Sequence, residues 1–290
     1  MSKLTPYQEK KSNWEPVLAQ ALPKIAEVLD DPRQQRRFQR IALSQFTQES
    51  GLYNCTPASV LGCLLECAEL NLEPGVAGQC WIVKYGQKAT LIVGYQGFAQ
   101  LAWRSGHVAA LNAEAVFAKD RFEYFRGYGA GREPYIEHGN SRLEGELDPG
   151  ELIAAYAAIE TVHGKTILKV LSRPEVEERR KSSRGANANS SPWVTHEEAM
   201  WRKSAIRAAF PLLPWTPEAR RAFQADTLQE QGKQMLEVNP VDFADTRAVE
   251  VAEEASAEAR AAEADTPCGK AIGNSGEACM EPFGHAGACK

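Results

Sequence analysis

A change of hydrophobic period at Glu73-Pro74-Gly75 constrains this chain more than any other feature. Before it, Val60, Leu61, Leu64, Leu65 and Ala68 recur at the spacing of a helix face, with Glu66 and Glu69 turned away. Thr56-Pro57 supplies a hydroxyl cap and a proline at the first helical position. After the turn, residues 80–84 and 89–93 are rich in Trp, Ile and Val and read as strands joined through Gly86-Gln87-Lys88. Gly94-Tyr95-Gln96-Gly97 then opens a short helix over 98–104, stopped by Gly106. The chain is therefore mixed α and β.

The flanking segments extend that pattern. Residues 5–29 are helix-prone with breaks expected at Pro16 and Pro23, and 32–50 reads as a second helix closed by Gly51. Strands are expected over 109–117, 122–125 and 135–138, and a hairpin pairs 152–162 with 165–171 around His163-Gly164. Ser172 caps a helix running through Glu177-Glu178-Arg179-Arg180-Lys181. A polar loop covers 182–192, and Thr195-His196-Glu197-Glu198 reads as a capping box ahead of a helix that ends before Pro211. Thr216-Pro217 opens one more helix, to about Gln231.

The fold class is α+β, a hairpin-rich antiparallel sheet with packed helices, followed by two different segments. Residues 1–232 form the main domain. Residues 233–266, dominated by Ala and Glu, read as a disordered acidic linker, helical at most transiently, and 267–290 as a small Cys/His segment. Charge follows the same division. Residues 1–222 carry 28 Lys and Arg against 25 Asp and Glu, residues 223–290 carry 5 against 13, and the stretch 165–221 carries 12 against 6. The overall −5 therefore hides a basic body behind an acidic tail. No apolar run approaches the roughly 18 residues of a membrane span. The polar start lacks a signal-peptide core, and seven cysteines in a long chain read as reduced thiols, so a cytoplasmic setting is expected. Cys63 and Cys67, one helical turn apart, read as small buried residues rather than metal ligands.

Bond-making chemistry leaves little trace. The chain has no Gly-x-x-x-x-Gly-Lys-Ser/Thr loop, no Gly-x-Ser-x-Gly elbow and no His-Glu-x-x-His pair, and residues 127–131 read as a glycine-rich hairpin tip. Cations and aromatics are more informative. Lys84, Tyr85 and Lys88 lie at a hairpin, Tyr95 and Gln96 begin the helix that carries Arg104, and Arg179, Arg180, Lys181 and Arg184 flank the polar loop. Arg202, Lys203 and Arg207 share one helix. Rows of this kind hold phosphates, and exposed rings stack on bases. Each run by itself reads as a solvated face, and Tyr85, Trp103, Trp193 and Trp201 taken singly read as core.

Leu72-Glu73-Pro74-Gly75, then Gly78-Gln79-Cys80 through Lys84-Tyr85-Gly86, Leu91-Ile92-Val93-Gly94-Tyr95-Gln96-Gly97 and Leu101-Ala102-Trp103-Arg104-Ser105-Gly106 together resemble the signature block of the RecT family of phage recombinases. Asp120-Arg121-Phe122-Glu123-Tyr124, Ile136-Glu137-His138, Ala155-Tyr156-Ala157 and Ser190-Ser191-Pro192-Trp193 follow in the order the family shows. Met200-Trp201-Arg202-Lys203-Ser204-Ala205-Ile206-Arg207 is similar to its Met-x-x-Lys-Thr-x-x-Arg helix, with Ser204 in place of Thr. The resemblance spans about residues 15–215 and implies annealing of complementary single strands without ATP, by rings or helical filaments of the protein. It also implies a cognate phage exonuclease and the host single-strand binding protein as partners, with no membrane role. The nucleic acid bound would be single-stranded DNA and the annealed duplex intermediate.

On this reading Lys84, Lys88, Tyr95, Gln96, Arg104, Arg179, Lys181, Arg184, Arg202, Lys203 and Arg207 line a groove that grips the DNA backbone. No cofactor is required for annealing, and magnesium is expected only to modulate DNA binding. In the tail, Cys268, Cys279, His285 and Cys289 supply three thiolates and an imidazole, enough for tetrahedral zinc, although no Cys-x-x-Cys knuckle is present. Incidental thiols are the other reading of that set. Two functional alternatives stay open: a metal-dependent DNA-processing enzyme, and a recruitment scaffold without annealing activity.

Overall fold

The computed structural model describes residues 6–47, 50–125, 127, 133–183, 186–187, 189, 191–213, 216–230 and 238–264. In chain order its elements are α1 (Pro6–Ala26), α2 (Pro32–Ser44), α3 (Pro57–Glu69), β1 (Cys80–Tyr85), β2 (Lys88–Val93), α4 (Tyr95–Arg104), β3 (Val108–Phe117), β4 (Arg121–Phe125), β5 (Tyr135–Gly139), β6 (Leu152–Thr161), β7 (Thr166–Ser172), α5 (Arg173–Ser182), α6 (Pro192–Thr195), α7 (Glu197–Ala209), α8 (Pro217–Glu230) and α9 (Thr246–Ala264). They divide into two compact units, one of residues 1–69, 82–90 and 236–290, the other of 70–81 and 91–235. The α+β class expected from the sequence is present in these elements.

The first unit is helical. Its α1 runs without a break through Pro16 and Pro23. Trp14, Val17, Leu18, Ala21, Leu22 and Ile25 are all buried along it. Each large apolar side chain so buried contributes about 1.5–3 kcal/mol, enough together to outweigh about 3 kcal/mol for each internal proline. Helix α2 is shorter than expected, ending at Ser44, and Gly51 instead takes a left-handed φ of 65° ahead of a 3-10 turn, Leu52–Asn54. Helix α3 begins where Thr56-Pro57 requires, yet Glu66, expected to face outward, is 3% exposed. Packing of α1, α9 and the 3-10 turn Pro240–Asp242 on α3 leaves it little open face. Cys63 and Cys67 are buried, as expected.

The larger correction concerns the acidic segment. Residues 246–264 are not linker: they form α9, which packs on α1. Ala248, Ala252, Ala255 and Ala259 make a buried stripe at helical spacing that lets the two helices approach closely. Ser256 Oγ accepts the Trp14 indole N–H at 3.2 Å and lies 3.0 Å from the Tyr53 carbonyl oxygen. The glutamates stay on the outer side, which is why composition alone suggested disorder.

The second unit holds an antiparallel sheet in the order β3-β6-β7 and a separate β4–β5 hairpin. Register places Glu114 opposite Tyr156, and Tyr156 opposite Val170. Val116, Ala154, Tyr156 and Val170 form a cluster on one face, against which Phe122 and Ile136 of the hairpin pack. The alternate residues Ala155, Ala157, Ile159 and Leu171 are buried too, and α7 packs across all three strands. The expected strands are all present, and α4 begins three residues earlier than expected. Among the described residues no helix is long and apolar enough to cross a membrane.

Candidate nucleic-acid interface

The signature segment builds a shelf in the second unit. Gly78 and Gly94 bring two stretches of backbone together, and the Trp81 ring lies on them: a Cβ on Gly94 would sit 2.1 Å from the Gly78 carbonyl oxygen and 2.7 Å from the indole. Gly94 N–H also donates to the Gln79 carbonyl at 2.8 Å, so the approach is bonded as well as close. Gln96, in the first turn of α4, borders the same shelf beside Gly78. Trp81 remains 43% exposed, an indole pressed on backbone with area left for a planar ligand. Sequence reasoning passed over Trp81, although the two glycines that bed it stand inside the quoted block. Trp103 at the end of α4 is 48% exposed and Tyr85 is exposed as well, so neither is core, whereas Trp193 and Trp201 are buried.

The cations nominated from the sequence fall in both units. Lys84 and Lys88 belong to the first unit, at the hairpin tip, which is tied down by Ala89 N–H to Ser59 Oγ (2.9 Å) and Thr56 N–H to the Gln87 carbonyl (3.0 Å). Lys84 is half-buried with its stem near Gly51, and Lys88 is exposed. In the second unit Tyr95 and Gln96 are half-buried. Arg104 donates to the carbonyls of Leu70 (2.7 Å) and Asn71 (3.1 Å), which follow α3. Burial lowers its pKa from the ordinary value, opposed by Glu218.

On α5, Arg179 is half-buried and Lys181 is exposed beside Glu178 at 3.5 Å. The Ser172 cap is as expected, with Ser172 N–H donating to Glu175 at 2.8 Å. Arg184 and the candidate zinc ligands Cys268, Cys279, His285 and Cys289 lie outside the described residues, as does most of the glycine-rich tip.

Helix α7 departs most from expectation. The Thr195 capping box is not formed: Ser191 caps α6 instead, and Thr195 Oγ1 donates to the Ser191 carbonyl at 3.1 Å. Glu198 is engaged elsewhere, by Arg142 at 3.2 Å and by Arg202, which also meets Glu114 at 3.1 Å. Lys203 and Arg207, each 8% exposed, turn inward onto Asp226 of α8 at 2.6 and 3.0 Å. Arg207 further donates to Thr227 Oγ1 at 2.9 Å and stacks over Phe223 at 5.3 Å. The Lys-Ser-x-x-Arg motif is thus an internal ion cluster joining α7 to α8, not a phosphate row. Asp226, 19 residues beyond Arg207, carries no local signal of its role.

A second buried network anchors the β4–β5 hairpin to the sheet. Asp120 accepts from Phe117 N–H and Ser141 N–H, both at 2.8 Å, and from Ser141 Oγ at 2.7 Å. His138 Nε2 lies 3.1 Å from Asp120, and its Nδ1 is 3.3 Å from the Tyr156 hydroxyl. Burial alone would raise the Asp120 pKa, but these bonds outweigh it and hold the carboxyl down to about 2. Burial, with the Glu114 charge, pushes the Tyr156 hydroxyl up to about 12.

Known proteins match this sequence over most of its length. A family model described as the RecT family covers residues 36–238. Protein RecT of Escherichia coli (strain K12) is 32% identical over 215 residues, 71% of this chain and 74% of that protein. The uncharacterized protein YqaK of Bacillus subtilis (strain 168) is 24% identical over 210 residues, 71% of this chain and 69% of its own.

Proposed function

The chain belongs to the RecT family, and on that premise we propose that it binds single-stranded DNA and anneals complementary strands in recombination. The observation that carries this reading is the extent of the family match, which runs from α2 through α8 and contains the Trp81 shelf. The mechanism needs no bond chemistry. In the second unit the exposed Lys181 neutralises phosphate, while the outer area of Trp81 offers a surface on which a base can rest without its pairing edge being covered. Pairing then proceeds on strands held extended, without nucleotide hydrolysis. Several subunits side by side, as a ring or a filament, lengthen the track, and the setting is the cytoplasm of a bacterial host.

Partners on this reading are a phage exonuclease that exposes single strands and the host single-strand binding protein that coats them. Magnesium modulates binding by competing for phosphates. The thiolates of Cys268, Cys279 and Cys289 with His285 hold one zinc ion, which metal analysis of the purified chain would detect and Cys279→Ser would reduce.

The test mixes the full chain with two complementary, fluorescently labelled strands, without nucleotide, at several salt concentrations. Faster pairing of intact strands, weakening as salt rises, is the expected result. Strands shortened in the presence of magnesium would replace this reading with a DNA-processing enzyme. Absence of both effects would leave a recruitment scaffold.

A further inference from the structure

The first unit carries a cation row that the annealing mechanism above does not use. Helix α2 contains four arginines and no acidic residue within its span. Arg33, Arg36, Arg37 and Arg40 are spaced three, one and three residues apart, so that 33/36, 33/37, 36/40 and 37/40 are each three or four apart and the four share one face of the helix. All four are exposed, while Phe38 and Ala42 bury the opposite side. Among the described residues, no carboxylate pairs with the guanidinium of Arg33, Arg36 or Arg40. The nearby Asp31 is occupied as the N-cap, accepting the Arg33 backbone N–H at 2.8 Å.

We propose that this face of α2 binds the phosphate backbone of single-stranded DNA. The inference rests on the DNA-binding reading above and adds a contact surface to it. Guanidinium groups suit the task because each presents a planar fork of donors that matches two phosphate oxygens. From Arg33 to Arg40 the row rises about 10 Å, enough to meet a few consecutive phosphates of one strand. Between Arg33 and Arg40 no large apolar residue is exposed; Leu43, three residues beyond Arg40, is the exposed apolar side chain at the end of the row. A charged comb of this type grips a backbone and leaves the bases alone, as annealing demands.

The opposite arrangement is visible on α5. There Arg180 lies between Glu177 (3.9 Å) and Glu197 (3.8 Å), so its charge is largely answered within the protein. The rival occupant of α2 is a second copy of this chain, through its acidic loop at 143–148, where Leu143 and Leu147 stand almost fully exposed. That pairing would be a protein–protein contact and is an outcome of the test.

The experiment measures single-strand affinity against salt for the full chain, for Arg33→Gln/Arg36→Gln/Arg40→Gln and for the same three positions changed to Lys. Light scattering without DNA reports self-association in parallel. With a log-log slope of about −0.7 per phosphate neutralised, the Gln variant is expected to lose about 2 from the slope's magnitude and the Lys variant almost none. The single change Arg36→Gln, losing about 0.7, serves if the triple variant does not fold. An unchanged slope in a folded variant overturns the inference while leaving the DNA-binding reading intact. Loss of self-association with an unchanged slope overturns it in favour of the second copy. A wild-type chain that binds no DNA defeats both readings at once.

Discussion

Helices α2 and α7 are the two arginine-bearing helices most worth setting side by side, because they use the same charge in opposite ways. On α7 the cations are answered from within: Lys203 and Arg207 by Asp226, Arg202 by Glu114 and Glu198. On α2 the guanidinium groups of Arg33, Arg36 and Arg40 face outward with no carboxylate opposite among the described residues. A buried cation surrenders its hydration and must be paired, so it speaks for stability and geometry. An exposed, unpaired row keeps its hydration and its field, so it speaks for a charged ligand. Charge in a sequence therefore says little about binding until burial is known.

Removing the shared carboxylate tests the α7 side of that contrast most severely. Asp226→Ala leaves two buried cations unanswered and is expected to cost about 3–5 kcal/mol, read as a lowered unfolding midpoint in denaturant. Replacing Lys203, Arg207 and Asp226 together by apolar residues of similar volume should restore most of the loss. A variant as stable as the wild type would mean that these groups are not paired in solution.

Gly94→Ala tests a different kind of tightness. A Cβ there meets the Gly78 carbonyl oxygen at 2.1 Å, so the cost should reach the upper end of about 1–3 kcal/mol for an overpacked site. Thermal unfolding reports the cost, and a loss of single-strand affinity beyond the fraction unfolded reports displacement of Trp81.

The Asp120 network supplies a pH signature. Its carboxyl is held at about 2 against an ordinary value near 3.9, so the folded state favours the ionised form. The resulting stability, about 2 kcal/mol, is fully present above pH 4 and is lost as pH falls towards 2. Asp120→Asn should therefore lower the unfolding midpoint at pH 7 and matter progressively less between pH 4 and 2. A gap between variant and wild type that does not narrow in acid would contradict the network.

The smallest stability effect belongs to α2. Arg33→Gln/Arg36→Gln/Arg40→Gln is expected to change stability by no more than about 0.5 kcal/mol, as surface changes commonly do, while altering the salt dependence of DNA binding. Lys203→Ala should do the reverse, destabilising the fold without flattening the salt slope of the molecules that remain folded. If these two variants exchanged behaviours, the contrast between the helices would fail.

Local chemistry settled much of this protein before any tertiary structure was known. The Thr56-Pro57 start, the turns at Gly86-Gln87 and His163-Gly164, and the Ser172 cap all act within a few residues of themselves, and each element stands where those signals placed it. The family was legible for the same reason: glycines such as Gly78 and Gly94 are required by backbone approach, and their spacing is written in the chain. Contacts distant in sequence decided the rest. Pro16 and Pro23 could be carried inside α1 only because one whole face of that helix is buried. The alanine stripe of α9 became a packing surface only when Trp14, 242 residues away, reached Ser256. Lys203 and Arg207 read as a phosphate row until Asp226 was found beneath them. Periodicity and capping are properties of neighbouring residues, whereas burial and charge compensation belong to pairs that only the folded chain brings together.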